Sequence, residues 1–176
     1  LKKLWEPSAE GVVKTWADVR EGWPAEEIKL FGPGTASGTF DYFTEAIVGE
    51  SGAIRSDYSP SEDDDILVQG IAGDKNSLGF FGLAYYEQNK DKLKLVPVNG
   101  VIPTMETVKS GVYSPLSRPL YLYVSKIAGQ KQEVSSFINF YLKNAAQVAQ
   151  NVGYVPLPEG DYVNSIQGFQ KFSATK

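Results

Sequence analysis

Histidine and cysteine are both missing from this chain of 176 residues. Without imidazole there is no side chain that ordinarily titrates near neutral pH, no histidine-containing triad and no histidine metal site. Without thiols there is no cysteine nucleophile and no cysteine–zinc centre, and the redox compartment stays undetermined. Positive charge is also scarce: 17 Lys and Arg stand against 21 Asp and Glu, a formal net charge of −4. That balance argues against a nucleic-acid partner held by phosphate neutralisation. Any anion this chain binds must be held mainly by hydrogen bonds and local dipoles. No run of about 18 apolar residues exists, so no stretch reads as a membrane-spanning helix. Repeats and low-complexity tracts are lacking as well.

With 42% apolar residues the chain can bury an ordinary core, as one domain or two small lobes. Its organising stretch is Gly32-Pro33-Gly34-Thr35-Ala36-Ser37-Gly38-Thr39-Phe40-Asp41-Tyr42-Phe43. Ile28-Lys29-Leu30-Phe31 before it reads as a strand, and Phe40, Phe43, Ile47 and Val48 after it recur at helical spacing until Gly49. A glycine and hydroxyl loop at a helix start offers unpaired N–H groups and partial positive charge, which suits a small anion. Gly34 and Gly38 let backbone approach a ligand, and Thr35, Ser37 and Thr39 can donate from their hydroxyls. Equally, Ser37 can simply cap the helix while the glycines turn the chain. A phosphate loop of the Walker type is excluded, because no Lys precedes Thr39; a dinucleotide fingerprint fails because its third glycine falls on Ser37. No catalytic, metal or cofactor constellation is present.

Arg55 is the fixed cation of the segment 50–58, and its fork suits a tetrahedral oxyanion; a solvated arginine, or one paired with Asp57, is the alternative. Ser61-Glu62-Asp63-Asp64-Asp65 reads as an N-cap at Ser61 followed by acids that favour the helix dipole, rather than as a metal site. Strands are expected near 77–83, 93–98 and 119–124, alternating with helices at 84–89 and 105–109, an α/β arrangement. Val134, Phe137, Ile138, Tyr141, Leu142, Ala145, Ala146 and Ala149 predict one long amphipathic helix over 133–150, and Tyr162 to Phe172 a last one. Trp5, Trp16 and Trp23 are expected to cover the core. The opening Leu-Lys-Lys-Leu-Trp reads as the interior of a helix, as expected of a fragment or processed product.

Several blocks together resemble the extracytoplasmic phosphate-binding protein of the ABC phosphate importer, the Pst system. They are the 32–43 loop, Thr15-Trp16 with Gly22-Trp23-Pro24, Gly79-Phe80-Phe81-Gly82-Leu83-Ala84-Tyr85-Tyr86, Ser114-Pro115-Leu116-Ser117-Arg118-Pro119-Leu120 and Gly153-Tyr154-Val155-Pro156-Leu157-Pro158, in family order. The resemblance implies a periplasmic binding protein of type II, with two lobes hinged around inorganic phosphate and docking on a membrane permease, outside the cytoplasm and without enzymatic activity. It maps the family's Ser-Gly-Thr element onto Ser37, Gly38 and Thr39, which with Gly34 and Thr35 of the same loop are expected on the anion, and it adds Arg55, in an Arg-x-Asp-Tyr pattern with Asp57 and Tyr58, as an anion contact. It implies truncation: the family's N-terminal third is missing, with residues 1–117 as the second lobe and 118–176 as the returning part of the first. The subtype usually carries Asp where Ala36 stands, so the acceptor for a phosphate proton is unassigned here. Two other readings stay open. One is a phosphate-ester hydrolase using Asp41 or Asp57, and the other an interaction fragment that binds no anion.

Overall fold

A computed structural model describes residues 1–174. The chain gathers into two compact units, Leu1–Val96 and Pro97–Lys176, a division that falls earlier than residue 117.

In the first unit the elements run α1 (Lys2–Trp5), α2 (Trp16–Val19), β1 (Lys29–Pro33), α3 (Gly38–Ile47), β2 (Ser59–Ser61), α4 (Asp64–Ala72), β3 (Ser77–Gly79) and α5 (Leu83–Gln88). The strands form a parallel sheet in the order β2-β1-β3. The alternation of strand and helix read from the sequence is therefore a parallel α/β layer, with α3 and α4 as the connections. Register pairs Pro33 with Ser61, so the residues leaving β1 and β2 emerge side by side at the carboxyl edge. Ligands of open α/β sheets bind beyond that edge.

α3 buries the stripe its spacing predicts, with Phe40, Phe43, Thr44 and Val48 inside. Phe43 stacks on Phe80 at 3.7 Å, and Trp5 meets both rings edge-on at 5.5 and 5.1 Å. α4 lies close on the sheet because Gly79 has no side chain: a Cβ there would stand 2.6 Å from the Phe31 carbonyl and strike Ile71. The close packing expected of the glycines in this strand is met at Gly79. Trp5 is buried as expected; Trp23 is 43% exposed, against Trp16 and under the Arg20 guanidinium. Its ring therefore covers a surface turn and not the core.

Two local readings are corrected. The cap of α4 is Asp63, whose carboxylate accepts the Asp65 amide, while Ser61 closes β2 and its hydroxyl accepts the Asp63 amide. Ser61 thus shapes the turn before the cap. The segment 93–98 forms no strand; Val98 instead bridges Val101 across Asn99-Gly100, both at positive φ. Asn-Gly between Val residues is a hairpin-turn signal that apolar patterning alone misses.

The second unit holds α6 (Met105–Lys109), α7 (Lys126–Gly129), α8 (Gln132–Asn151) and α9 (Glu159–Ala174). Ile138 and Phe169 are its buried centres, with Tyr113. Residues 119–124 are joined to no sheet, and Tyr121 and Tyr123 are 73% and 87% exposed. The long helix is where its periodicity predicts, yet Phe137 and Tyr141 of its stripe face out, together with Phe140 and Val148 outside the stripe.

Candidate functional site

The loop 34–37 leaves the end of β1 and enters α3, so its placement follows from strand, turn and cap. Ser37 is the N-cap: its Oγ accepts the amides of Thr39 at 3.2 Å and Phe40 at 3.4 Å. With both acceptor positions taken, the hydroxyl hydrogen of Ser37 is left to donate outward. Capping and donation are thus compatible, and the two readings of the loop need not compete. Among the described residues the amides of Thr35 and Ser37 and the hydroxyls of Thr35 and Thr39 make no hydrogen bond to protein. Thr35, Gly38 and Thr39 are exposed and Ser37 half-buried. Gly34 is buried, its amide continuing the ladder to the Ser61 carbonyl at 3.2 Å. Five of the six expected residues therefore share one turn.

Arg55 is placed differently. It is 4% exposed, and four of its five N–H groups are engaged: Nε and Nη2 grip the two oxygens of Asp57, while Nη1 donates to the carbonyls of Leu4 at 3.2 Å and Val13 at 3.0 Å. The expectation of a fork open to an oxyanion is corrected by this geometry, which matches the alternative, pairing with Asp57. Around it Glu10 accepts the Ser56 amide and hydroxyl at 3.0 and 2.8 Å, and Tyr58 donates to the Pro33 carbonyl at 3.1 Å. The segment 55–58 thus ties residues 4–13 to the strand end from which the loop departs.

This clasp is acid-sensitive. Arg55 holds Asp57 below its usual 3.8 by hydrogen bonding, and the Ser56 amide and hydroxyl hold Glu10 below 4.5. A carboxyl depressed in the folded state stabilises fully above its unfolded value, and that contribution is lost as pH falls through the folded one. Thermal unfolding is therefore expected to shift to lower temperature between about pH 5 and about pH 3, and less so in Asp57→Asn. Equal acid sensitivity in the two proteins would remove Asp57 from this account.

Sequence reasoning missed Glu62, having grouped it with the cap acids. Its Oε1 accepts the Ala36 amide at 3.2 Å, and the carboxylate lies so close to Gly34 that a Cβ there would collide with it. The signal was strand register: Glu62 follows Ser61 as Gly34 follows Pro33. The hollow beside α4, lined by Asp65, Gln69, Asn89 and Lys92 among others, shares no residue with the loop. Among the described residues no cluster of acids could hold a metal, and no helix is long and apolar enough to cross a membrane. Asp41, a carboxylate the hydrolase reading needed, accepts from the Ser51 hydroxyl at 3.4 Å, and Asp57, the other, is bound by Arg55.

Comparison with known proteins points the same way. The chain is 52% identical over 167 residues to Protein SphX of Synechocystis sp., covering 92% of this chain and 50% of that protein. It is 36% identical over 178 residues to the phosphate-binding protein PstS of Staphylococcus haemolyticus, covering 98% and 54%. The crystal structure of a possible phosphate binding protein from Planctomyces limnophilus superposes with a TM-score of 0.81 at 40% identity, covering 99% of this chain and 63% of the other. The chain spans about half the length of the curated relatives it matches. A family model described as a PBP superfamily domain matches residues 8–145, and with the parallel sheet and the loop at its carboxyl edge this shows that the chain belongs to the PBP superfamily.

Proposed function

We propose that this chain is part of an extracytoplasmic phosphate-binding subunit of an ABC phosphate transporter, and that residues 34–39 hold one side of inorganic phosphate. The observation that carries this is the Ser37 turn: one hydroxyl caps two amides and still has its proton to give, beside unpaired amides at Thr35 and Ser37. Helix-start amides with partial positive charge can hold a small anion on a protein whose net charge is −4. The names carried by the relatives support phosphate as the ligand.

The rest of the reading follows from that role. Binding is capture without chemistry, closure between lobes excludes water, and the closed form is what a membrane permease recognises. Residues 1–117 act as the lobe bearing the loop and 118–176 as the returning part of the other lobe, which a further segment of the longer protein completes. The exposed run 120–123 and the outward flank of α8 support such a cover. Arg55 enters as a positioning residue whose one remaining N–H is all it has to offer an anion. A hydrolase finds no support among the named relatives.

Amide NMR titration of the full chain with phosphate tests the site, since it registers weak binding. Shifts are expected to concentrate on residues 34–39. Ser37→Asp keeps a good cap but sets a negative charge where the anion sits, so the fold is expected to survive while phosphate affinity falls at least about tenfold. A wild-type response in Ser37→Asp would remove the loop from the site.

A further inference from the structure

Of the seven asparagines in the chain, Asn99 alone is followed by glycine. The pair forms the two-residue loop between Val98 and Val101, with φ of 52° at Asn99 and 80° at Gly100, and both residues are exposed. Two hydrogen bonds close the loop: Val98 N–H donates to the Val101 carbonyl at 2.9 Å, and Val101 N–H to the Val98 carbonyl at 3.0 Å. Among the described residues, neither the Asn99 side-chain amide nor the Gly100 N–H is hydrogen-bonded to protein. Apart from its chain neighbours, nothing stands within 4 Å of where a Gly100 Cβ would be. Asn76, followed by Ser77, is the contrasting case. Its side-chain amide donates to Glu26, and the Ser77 N–H donates to the Asp74 carbonyl at 3.1 Å.

We propose that Asn99 is a site of spontaneous covalent modification: its side-chain amide is lost to cyclisation on the Gly100 nitrogen, and the isoaspartyl product opens the hairpin. The Gly100 N–H gives its proton to hydroxide, and the nitrogen attacks Asn99 Cγ. The new N–Cγ bond closes a five-membered succinimide as the Cγ–Nδ2 bond breaks, and ammonia leaves with a proton returned by water. Water then opens the ring. Cleavage of the N–Cγ bond leaves aspartate at 99; cleavage between the nitrogen and the main-chain carbonyl carbon leaves isoaspartate, with the chain running through the former side chain. Either way one water enters, one ammonia departs, and one negative charge is added to the formal −4. Glycine admits the attack because no Cβ crowds its nitrogen. Ring closure requires rotation about Asn99 out of the tight turn, which two hydrogen bonds at an exposed loop hold only weakly. Aspartate tolerates positive φ as asparagine does, and Asp-Gly suits the same turn. Isoaspartate adds a main-chain carbon, and the lengthened loop no longer matches both Val98–Val101 bonds. The turn shares no residue with the 34–39 loop, so the reaction is independent of phosphate binding.

The test is storage of the full chain in mildly alkaline buffer, followed by peptide mapping with mass spectrometry and by NMR of the Val98 and Val101 amides. The peptide holding Asn99 is expected to convert to a mixture of aspartate and isoaspartate at least about tenfold faster than the peptide holding Asn76, whose hydrogen bonds must also break. In the isoaspartyl product the cross-strand NMR contact between Val98 and Val101 is expected to be lost. Asn99→Asp, which adds the charge without the extra carbon, is expected to keep it. Conversion at Asn76 as fast as at Asn99 would overturn the choice of site, and aspartate at 99 without isoaspartate would overturn the cyclisation. A contact that survives in the isoaspartyl product, or is lost equally in Asn99→Asp, would overturn the opening of the hairpin. Asn99→Gln, whose longer side chain closes a ring far less readily, is expected to abolish the isoaspartate; its persistence there would place the reaction at another residue and overturn the proposal.

Discussion

Trp5→Ala is expected to lower the stability of the first unit by about 3–5 kcal/mol, the usual range for truncating a large buried aromatic. The ring is 1% exposed and stands edge-on to Phe43, Tyr58 and Phe80 at 5.5, 6.2 and 5.1 Å. Those partners come from α3, from the segment before β2 and from the segment after β3, so the loss is felt on three elements at once. Packing around so large a void relaxes only partly, and edge-to-face contacts add to the area term. Small domains hold about 5–15 kcal/mol in total, so this single change removes a large share of it. Urea unfolding followed by circular dichroism is expected to show a midpoint lower by about 2 M with the slope unchanged. Trp23→Ala, on a ring 43% exposed, is expected to move it by less than about 0.5 M. Equal midpoint shifts in the two variants would mean that the Trp5 cluster is not the centre of this unit.

Arg55→Ala is expected to cost about as much, roughly 3–5 kcal/mol, for a different reason. It strands the carbonyls of Leu4 and Val13, and it leaves Asp57 without its bidentate partner. Asp57 is 40% exposed and water can recover part of its share, which puts the expectation toward the lower end. Lysine does not rescue, because one ammonium cannot span two carbonyls and a carboxylate in the geometry of a planar fork. The same urea experiment reads the loss, and phosphate titration distinguishes a clasp from a ligand group. A stable Arg55→Ala protein that no longer responds to phosphate would return Arg55 to the anion's own contacts.

Both changes act at a distance from the loop yet bear on it. Trp5 holds Phe43 of α3, whose N-cap is Ser37, and its carbonyl accepts the Arg55 amide at 3.1 Å. Tyr58, three residues beyond Arg55, holds the Pro33 carbonyl at the strand end. The aromatic cluster and the clasp are two supports under one turn.

Much of this was legible in the residues, for identifiable reasons. The alternation Ile28–Phe31, glycine loop, Phe40–Val48 already gives strand, turn and helix, because periodicity and caps are local properties. The same holds for α8, and for Ser37 as both cap and candidate donor. The strand expected at 77–83 is shortened to Ser77–Gly79, and Ser59–Ser61 carries no strand signal of its own, because Ser-Pro-Ser becomes a strand only by pairing with β1. The run 119–124 has the composition of a strand, and no partner pairs with it among the described residues. Strand formation depends on a neighbour, which composition does not supply.

By itself, then, the sequence determined which side-chain chemistries this chain lacks and where its candidate turn lies, since absent histidine and cysteine, charge balance, and Gly/Ser/Thr spacing are readable one residue at a time. Only the tertiary structure decided that Arg55 is locked into Asp57 and two carbonyls, and that Glu62 stands on the Ala36 amide. Those partners lie 26 to 51 residues away along the chain, except for Asp57. Which donor finds which acceptor is settled by strand register and burial, and neither is a property of a residue's neighbours in sequence.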